Sequence, residues 1–358
     1  MNYNEIRRKS RKIYVGNVAI GGNAKISIQS MTNTDTHDIE ATYSQIKRLE
    51  AAGCDIVRLT APDIDACKTF AALKEKGIKI PLVADIHFDY KIALEAARLG
   101  ADKIRINPGN IGSRERIAEV VKACKHYGLP IRIGVNSGSL EKNILEKYGS
   151  PTGEALAESA LYHASLLEEF DFSDIAISVK ASNVENMLSA NRILAKKTSY
   201  PLHLGVTEAG ARERAIVKSS IGVGALLSEG IGDTVRISLT DDPIEEVKIA
   251  KHILSALDIY ENKGLDIVSC PTCGRTKINL ISLLREFEEL AEKEGISDKN
   301  IKVALMGCVV NGPGEAREAD IGIAGGIGEG LLFKKGQTVR KIKEENLVRE
   351  LIEEIKLM

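Results

Sequence analysis

The sequence has no tryptophan and only 9 tyrosines and 6 phenylalanines in 358 residues. It also has no excess of either charge, since 49 Lys and Arg balance 50 Asp and Glu. Proteins that bind single-stranded nucleic acid stack bases on aromatic rings and attract the backbone with a positive field. We therefore expect no nucleic-acid partner, and we interpret the short basic run from Arg7 to Lys12 as a solvated surface.

Long hydrophobic runs are absent as well. No stretch approaches the roughly 18 to 20 apolar residues of a membrane span, and the N-terminus lacks the apolar core of a secretory signal. These absences predict a cytoplasmic protein that does not enter a membrane. Its 44% hydrophobic and 28% charged residues are typical of a globular enzyme with a large core and more than one domain.

Short β-branched runs recur through the first 240 residues, each followed by a stretch with helical spacing. The runs are Lys25–Met31, Ile56–Thr60, Pro81–His87, Lys103–Gly109, Ile131–Gly138, Ile175–Ser182, Leu202–Gly210 and Thr234–Thr240. The helical stretches include Glu40–Gly53, Phe88–Gly100, Ser113–Gly128, Glu154–Phe170 and Pro243–Tyr260. Eight βα units predict a (β/α)8 TIM barrel, although periodicity alone also fits a doubly wound open sheet.

Two segments flank this pattern. Ahead of it, Ile13–Ile20 with a Gly21-Gly22 turn predicts a β-hairpin that plugs the N-terminal end of the barrel. After it, Glu261–Gly264 indicates a linker between a barrel domain in residues 1–260 and a smaller α+β domain in residues 265–358. The elements expected in the smaller domain are a helix at Asn279–Glu294, a strand at Lys302–Met306, a turn at Gly322–Gly330 and a helix at Glu344–Lys356.

A cation lies between apolar neighbours near the end of five of the eight runs. These cations are Arg58, Arg105, Arg132, Lys180 and Arg236. If the apolar neighbours face the surrounding helices, alternation points the cations into the barrel lumen. Pairing with Asp85 and Glu208 would neutralise only part of this charge, and unpaired buried cations are costly. We therefore predict a phosphate or diphosphate site at the carboxyl end of the barrel.

Other polar residues follow the same strands at the same end of the barrel. They are Asp85, His87, Asn107, Asn136, Glu208 and Ser238. Glu208 lies on the strand between those of Lys180 and Arg236, so it is the best-placed candidate for a proton donor.

Six cysteines in a chain without a secretory signal are not expected to form disulfides. Cys54, Cys67 and Cys124 occur singly in helix-like or helix-to-strand stretches and are interpreted as small buried hydrophobes. Cys270 and Cys273, in contrast, form a Cys-x-x-Cys pair, and Cys308 follows 35 residues later.

Three thiols at this spacing indicate a metal site, and an iron–sulfur cluster can leave one iron to an oxygen ligand. Glu315 is the acid closest in sequence to Cys308 and is the candidate fourth ligand. A three-cysteine zinc site and a redox dithiol remain alternatives.

Eight ordered motifs resemble those of the 4-hydroxy-3-methylbut-2-enyl diphosphate synthases, enzymes of the methylerythritol phosphate route to isoprenoids. They are SMTNTDTHD at Ser30–Asp38, VADIHFDY at Val83–Tyr90, RINPGNIG at Arg105–Gly112, IRIGVNSGSLEK at Ile131–Lys142, TEAG at Thr207–Gly210, LLSEGIGDTVRISL at Leu226–Leu239, SCPTCGR at Ser269–Arg275 and MGCVVNGPGEA at Met306–Ala316. With only a short linker before the last two motifs, the chain resembles the compact bacterial form of the family.

The resemblance implies a TIM barrel that binds 2-C-methyl-D-erythritol 2,4-cyclodiphosphate. It also implies a smaller domain with a [4Fe–4S] cluster on Cys270, Cys273, Cys308 and Glu315. The implied reaction is a two-electron reductive ring opening with loss of water, fed by flavodoxin or ferredoxin. The family further implies a head-to-tail homodimer in which the cluster of one subunit closes over the barrel of the other.

The resemblance also implies roles for individual residues. The five cations would bind the diphosphate, with His87, Asn107, Asn136 and Ser238 as further binding residues. Glu208, Asp85 and Glu315 would be catalytic, with Asp85 as the partner of Glu208. Two alternatives stay open at this point: a barrel synthase of the dihydropteroate type with a structural zinc domain, and a sensor that binds a phosphate ligand without turnover.

Overall fold

The computed structural model describes residues 3–260, 264–297, 299–309 and 317–358. The chain forms two compact units, Met1–Tyr260 and Glu261–Met358. Within the described residues, no helix combines the length and the apolar character needed to cross a membrane.

The first unit is built around a closed parallel sheet. Its strands are β1 (Ile13–Val15), β2 (Val18–Ile20), β3 (Ser27–Met31), β4 (Ile56–Thr60), β5 (Leu82–Asp85), β6 (Lys103–Ile106), β7 (Ile131–Asn136), β8 (Ile175–Lys180), β9 (His203–Leu204) and β10 (Thr234–Val235). Strands β3 to β10 pair in the order β8-β7-β6-β5-β4-β3-β10-β9, and a parallel bridge between Ile177 and Leu202 joins the two ends. The predicted TIM barrel is therefore confirmed, and an open sheet is excluded.

Seven of the eight barrel strands are shorter than the predicted runs, and two of them are much shorter. The runs that begin at Leu202 and Thr234 form ladders of only two residues each, at His203–Leu204 and Thr234–Val235. The residues that follow these two ladders belong to the loops at the carboxyl end of the barrel.

Helices surround the sheet and cover its apolar outer face. They are α1 (Tyr3–Ile6), α2 (Ile39–Ala51), α3 (Lys68–Glu75), α4 (Tyr90–Arg98), α5 (Pro108–Ile111), α6 (Arg114–Tyr127), α7 (Lys142–Tyr148), α8 (Gly153–Glu168), α9 (Val184–Lys197), α10 (Arg212–Ser228) and α11 (Pro243–Ala256). Outward-facing strand residues such as Leu59, Ile104 and Ile133 are fully buried in the core that these helices complete. Inward-facing positions at the carboxyl end are thereby left to polar side chains.

The predicted hairpin forms, but its turn is at Gly16 rather than at Gly21-Gly22. Ile13 pairs with Ile20 and Val15 with Val18, so the tight turn falls at residues 16 and 17. The glycine pair instead follows the second strand. Ile13, Val15 and Ile20 pack against Ile56, Val83 and Ala176 on the barrel strands, which confirms that the hairpin closes the N-terminal end of the lumen.

The prediction of a solvated surface for the basic run holds for Lys9, Arg11 and Lys12, which are exposed, but is wrong for Arg7 and Arg8. Arg7 donates to Asp233 at 3.0 Å, Arg8 lies 3.5 Å from the same carboxylate, and Ser10 Oγ donates to it at 2.7 Å. The Arg7 and Asp233 side chains are only 4% and 2% exposed. Asp233 also accepts from the Leu202 backbone N–H at 2.9 Å, so this N-terminal clasp ties the segment to the short β9 and β10 strands.

The second unit has one five-stranded sheet in its described part. Its elements are β11 (Asp266–Ser269), α12 (Leu280–Lys293), β12 (Lys302–Met306), β13 (Ile321–Gly325), β14 (Glu329–Lys334), β15 (Gln337–Lys343) and α13 (Leu347–Lys356). The sheet order follows the chain, parallel from β11 to β13 and antiparallel from β13 to β15. Helices α12 and α13 bury Phe287 and Leu351 in its core.

Most of the glycine-rich stretch predicted as a turn is strand. Residues 322–325 belong to β13, β14 begins at Glu329, and only 326–328 turn. Gly322 lets the Phe333 side chain pack directly against the backbone of β13, because a Cβ at residue 322 would lie 2.6 Å from Cζ of Phe333. Strand β15 escaped prediction because all but Ile342 of its residues are exposed, which leaves no apolar alternation to detect.

Candidate active site

The five strand-end cations lie together at the carboxyl end of the barrel, where alternation places them. They line a cavity of about 130 Å³ with Asp85, His87, Asn136, Ser178, Thr207 and Ser238. Arg132 is 1% exposed and Lys180 is 7% exposed, so these charges are largely removed from bulk water.

Two carboxylates partly balance this cationic cavity. Asp85 accepts from Arg105 at 2.9 Å and lies 3.4 Å from Nε of Arg58. The second carboxylate is Glu246 on α11, which lies 3.1 Å from Nη2 of Arg236 and accepts from Ser30 at 2.9 Å. The expected pairing with Glu208 is wrong, because Glu208 is exposed at the rim. Glu246 escaped sequence analysis because a helix, and not a barrel strand, delivers it to the site.

Burial and mutual repulsion shift the titration of these groups. Burial lowers the pKa of Arg58 to about 10, because the attraction of Asp85 only partly offsets the loss of water. Burial, with Arg236 and Arg58 nearby, also holds the pKa of Lys180 well below its usual range. Burial alone would raise the pKa of Asp85, but Arg58 and Arg105 hold it well below its ordinary value. The cavity thus keeps an ionised carboxylate and an excess of positive charge, which favours an anionic ligand.

Two glycines make room for the cations. A Cβ on Gly134 in β7 would lie 2.6 Å from Nη2 of Arg105, and one on Gly205 would lie 2.9 Å from Nζ of Lys180. Neither glycine has a positive φ, so the requirement is for space rather than for an unusual backbone. An isolated glycine in a strand indicates such a close approach, and this signal was available in the sequence.

A second polar layer, missed by sequence analysis, lies below the cations. It contains Lys103 and His203, both completely buried, and Gln29, which accepts from Arg132 at 3.3 Å. Lys103 precedes Arg105 by two residues, so the alternation that identified Arg105 also places Lys103 in the lumen.

A wider cavity of about 420 Å³ adjoins the cationic one. It is lined by His87, Arg105, Asn107, Asn110, Asn136, Ser137, Gly138, Ser182, Thr207 and Glu208. Asn107 caps α5 by accepting from the Gly109 N–H at 3.1 Å, which fixes its side chain at the wall. Glu208 has a φ of 51°, a left-handed conformation that is uncommon for a residue with a Cβ. The predicted acid therefore borders the same opening as Arg105, Asn107 and Asn136.

The second unit places the candidate ligands Cys270 and Cys308 just beyond the carboxyl ends of two neighbouring strands. Cys270 directly follows β11 and Cys308 lies two residues beyond the parallel neighbour β12. The Gly307 N–H donates to Sγ of Cys270 at 3.2 Å, and the Cys273 N–H donates to Oγ1 of Thr276 at 3.0 Å. The two turns that carry the thiols are thus hydrogen-bonded and adjacent.

The thiol groups fit a metal site by type and by location, since Cys270, Cys273 and Cys308 are not fully buried. No group of three or more His, Cys, Asp or Glu converges on a point suited to a metal among the residues whose placement is described. Glu315, the expected fourth ligand, lies outside those residues. The other cysteines differ: burial raises the pKa of Cys54 and Cys124 to about 12, in agreement with a structural role.

Comparison with known proteins covers both units. The family model of the GcpE TIM-barrel domain matches residues 10–251, and that of the GcpE protein C-terminal domain matches residues 266–357. A Clostridium perfringens protein named 4-hydroxy-3-methylbut-2-en-1-yl diphosphate synthase (flavodoxin) is 61% identical over 97% of this chain and 98% of its own length. A Halalkalibacterium halodurans protein of the same name is 57% identical over 98% of this chain and 94% of its own length.

A solved structure resembles about two thirds of the chain in fold. The crystal structure of type I 3-dehydroquinate dehydratase from Clostridium difficile superposes with a TM-score of 0.51 at 16% identity, over 70% of this chain and 98% of that chain. At this identity the similarity is one of fold and not of activity. The two family models and the near full-length relatives decide the matter: the chain belongs to the GcpE family of 4-hydroxy-3-methylbut-2-en-1-yl diphosphate synthases.

Proposed function

We propose that this chain converts 2-C-methyl-D-erythritol 2,4-cyclodiphosphate to (E)-4-hydroxy-3-methylbut-2-enyl diphosphate by two-electron reductive ring opening with loss of water. The observation that carries the proposal is the convergence of five cations on one cavity, where Asp85 in the lining and Glu246 paired with Arg236 balance only part of the charge. A cyclic diphosphate supplies the missing negative charge. The first unit is then the substrate domain and the second the cluster domain.

The barrel residues bind and orient the diphosphate. Arg58, Arg105, Arg132 and Arg236 offer planar guanidinium groups suited to phosphate oxygens, and Lys180 adds a point charge. His87, Asn107, Asn136 and Ser238 line the two cavities and are the candidate hydrogen-bond partners of the substrate. Fixing the ring in this manner lowers the entropic part of the barrier.

We assign the proton donor to Glu208. It borders the wider cavity and is exposed to solvent, from which it can be reprotonated. Asp85 is less suited to donate a proton, because Arg58 and Arg105 hold its pKa low and keep it ionised. Asp85 therefore orients the two guanidinium groups, and its role as the partner of Glu208 stays a prediction.

The residues that would hold a [4Fe–4S] cluster are Cys270, Cys273, Cys308 and Glu315. When bound, such a cluster supplies the electrons that the ring opening consumes. The Gly307 N–H already donates to Sγ of Cys270, and hydrogen bonds to cluster sulfurs are among the factors that set the reduction potential. The relatives' names support flavodoxin as the electron donor, with ferredoxin as the alternative. The head-to-tail homodimer and the cytoplasmic location stay predictions.

The decisive experiment is anaerobic purification followed by metal analysis and an assay. About four irons and four acid-labile sulfides per chain, with conversion of the cyclodiphosphate by reduced flavodoxin, is the expected result. Zinc in place of iron, or an iron-loaded protein without turnover, contradicts the proposal and favours the alternatives of a barrel synthase or a phosphate sensor.

A matched pair of variants tests the acid. Glu208→Gln should keep the substrate affinity and lower turnover by roughly 10² to 10⁴-fold, the usual contribution of a general acid. The control is Glu213→Gln, an exposed glutamate in the first turn of α10, which should change neither quantity. Unchanged turnover in Glu208→Gln rejects Glu208 as the proton donor.

A further inference from the structure

Lys103 occupies an unusual place below the cationic cavity. It is the first residue of β6, two positions before Arg105, and its alternation directs it into the lumen one layer deeper. The residue is completely buried, and its Nζ has no hydrogen-bond partner within the described residues. A substrate that binds against Arg105 and Arg132 would not need to contact it.

In the part of the chain that the structure describes, no carboxylate pairs with Lys103. The charged groups that act electrostatically on Lys103 are Arg132 and Arg58, and Lys103 in turn acts on His203. Asp85, Arg105 and Lys180 line the cavity at the carboxyl end of the same lumen. Asp85, the one acid among them, is already engaged by Arg58 and Arg105. The hairpin at the N-terminal end packs the apolar side chains of Ile13, Val15 and Ile20 against the barrel strands.

Neighbouring polar groups do not stabilise an ammonium ion either. The Gln29 oxygen accepts from Arg132, and its Nε2 is an unpartnered donor among the described residues. His203 lies in the same lumen. Its burial, and to a smaller extent the nearby cations, hold its pKa well below its usual range. Burial, with Arg132 and Arg58 nearby, likewise holds the pKa of Lys103 well below its ordinary range. A completely buried amine without a hydrogen-bond partner or counter-charge among the described residues, and with cations nearby, binds a proton less readily than a lysine in water.

We propose that binding of a diphosphate in the cationic cavity is coupled to protonation of Lys103, which becomes a buried positive charge only while the anion is present. The inference rests on the proposed function, because it takes the cavity to be the diphosphate site. The proton comes from solvent and forms an N–H bond on Nζ, and no other bond changes. An anion above the lysine offsets the repulsion from Arg58 and Arg132, and this attraction is strong in a poorly hydrated lumen.

Calorimetric titration of the full chain with inorganic pyrophosphate tests the coupling. Titrations at one pH in two buffers of different ionisation enthalpy give the number of protons taken up. Lys103→Met keeps the length and buried volume of the side chain without a titratable group. On binding pyrophosphate, the variant should take up about one proton fewer than the wild type. Its dissociation constant for pyrophosphate should therefore vary less with pH, and the difference between the two proteins should be up to about tenfold per pH unit.

The comparison isolates Lys103, because the protonation of pyrophosphate itself and of Lys180 is common to both proteins. Equal proton uptake in the two proteins overturns the inference and leaves the diphosphate site intact. Failure of the wild type to bind pyrophosphate overturns the diphosphate site itself. If Lys103→Met does not fold, Lys103→Gln serves in the same comparison, with folding of either variant checked by thermal unfolding.

Discussion

Gly134 lies directly against the guanidinium group of Arg105. A Cβ at this glycine would be 2.6 Å from Nη2 and 2.8 Å from Cζ, and the Gly134 carbonyl accepts from Nη2 at 3.5 Å. Arg105 in turn donates to Asp85 on the other side. The Arg105 guanidinium is therefore held between the backbone of Gly134 and the carboxylate of Asp85. The shape of the cationic cavity thus depends on the absence of a side chain at Gly134.

Gly134→Ala should displace Arg105 and weaken anion binding. Loss of a hydrogen bond to a charged group costs about 1.5–3 kcal/mol, so the dissociation constant for pyrophosphate should rise roughly tenfold to a hundredfold. Calorimetric titration measures this directly. The control is Gly224→Ala in α10, where a Cβ meets no atom within 4 Å. The control should bind normally, whereas unchanged binding in Gly134→Ala would mean that Arg105 does not contact the anion.

Asp85→Asn should destabilise the barrel in a pH-dependent manner. Removing one partner of a buried ion pair costs about 3–5 kcal/mol, because Arg58 and Arg105 lose their counter-charge. The native pKa of Asp85 is depressed relative to an unfolded value of about 3.9. Its stabilising contribution is thus complete above about pH 4 and is lost as the pH falls further.

Denaturant unfolding of wild type and Asp85→Asn at several pH values measures this contribution. The difference in unfolding free energy should stay constant from about pH 7 to pH 5 and narrow below about pH 4. Asp241→Asn, which breaks the exposed pair with Arg212, is the matched control and should have a much smaller effect. A difference that already narrows near neutral pH would show that the Asp85 carboxylate is not held in its ionised form.

Much of the first unit follows from the sequence, because its signals are local. The strand runs and the cation between apolar neighbours in Val57-Arg58-Leu59 both depend on period-two alternation, which the barrel preserves. The same alternation also applies to Lys103. It differs from the five cations because the residue before it, Asp102, is not apolar. The location of the cationic cavity could therefore be predicted without a structure.

The parts that escaped prediction depend on contacts between distant segments. Glu246 reaches Arg236 and Ser30 from a helix, and nothing in its own sequence surroundings indicates an inward direction. The side chains of Arg7 and Arg8 are largely buried because they pair with Asp233. This partner lies more than 200 residues later in the chain. A charge pattern read locally cannot distinguish such a clasp from a solvated surface.

Asp233→Asn should weaken the N-terminal clasp and with it the barrel. Asp233 is 1% exposed and holds Arg7, Arg8, Ser10 and the Leu202 N–H beside the two shortest barrel strands. Breaking this buried network should cost about 3–5 kcal/mol of unfolding free energy. Thermal and denaturant unfolding measure the loss. Asp65→Asn, which breaks an exposed ion pair with Lys68, is the control and should unfold like the wild type.

Gly307→Ala should disturb the turns that carry the candidate cluster ligands. A Cβ at Gly307 would lie 2.9 Å from Cγ2 and 3.0 Å from Oγ1 of Thr276, the same hydroxyl that accepts from the Cys273 N–H. Displacing Thr276 therefore moves Cys273 relative to Cys270. We expect a lower iron and sulfide content after anaerobic reconstitution and faster loss of visible absorption in air. Gly274→Ala is the matched control, because a Cβ there meets no atom within 4 Å.

A second change separates this steric effect from a general loss of folding. Thr276→Ser removes Cγ2 and keeps the hydroxyl that binds the Cys273 N–H, so it should restore much of the iron content when combined with Gly307→Ala. Thr276→Val keeps the bulk and removes the acceptor, so it should lower the iron content by itself. If Gly307→Ala and Thr276→Val both retain the cluster like the wild type, the two turns do not position the thiols, and the ligand geometry is set by the metal alone.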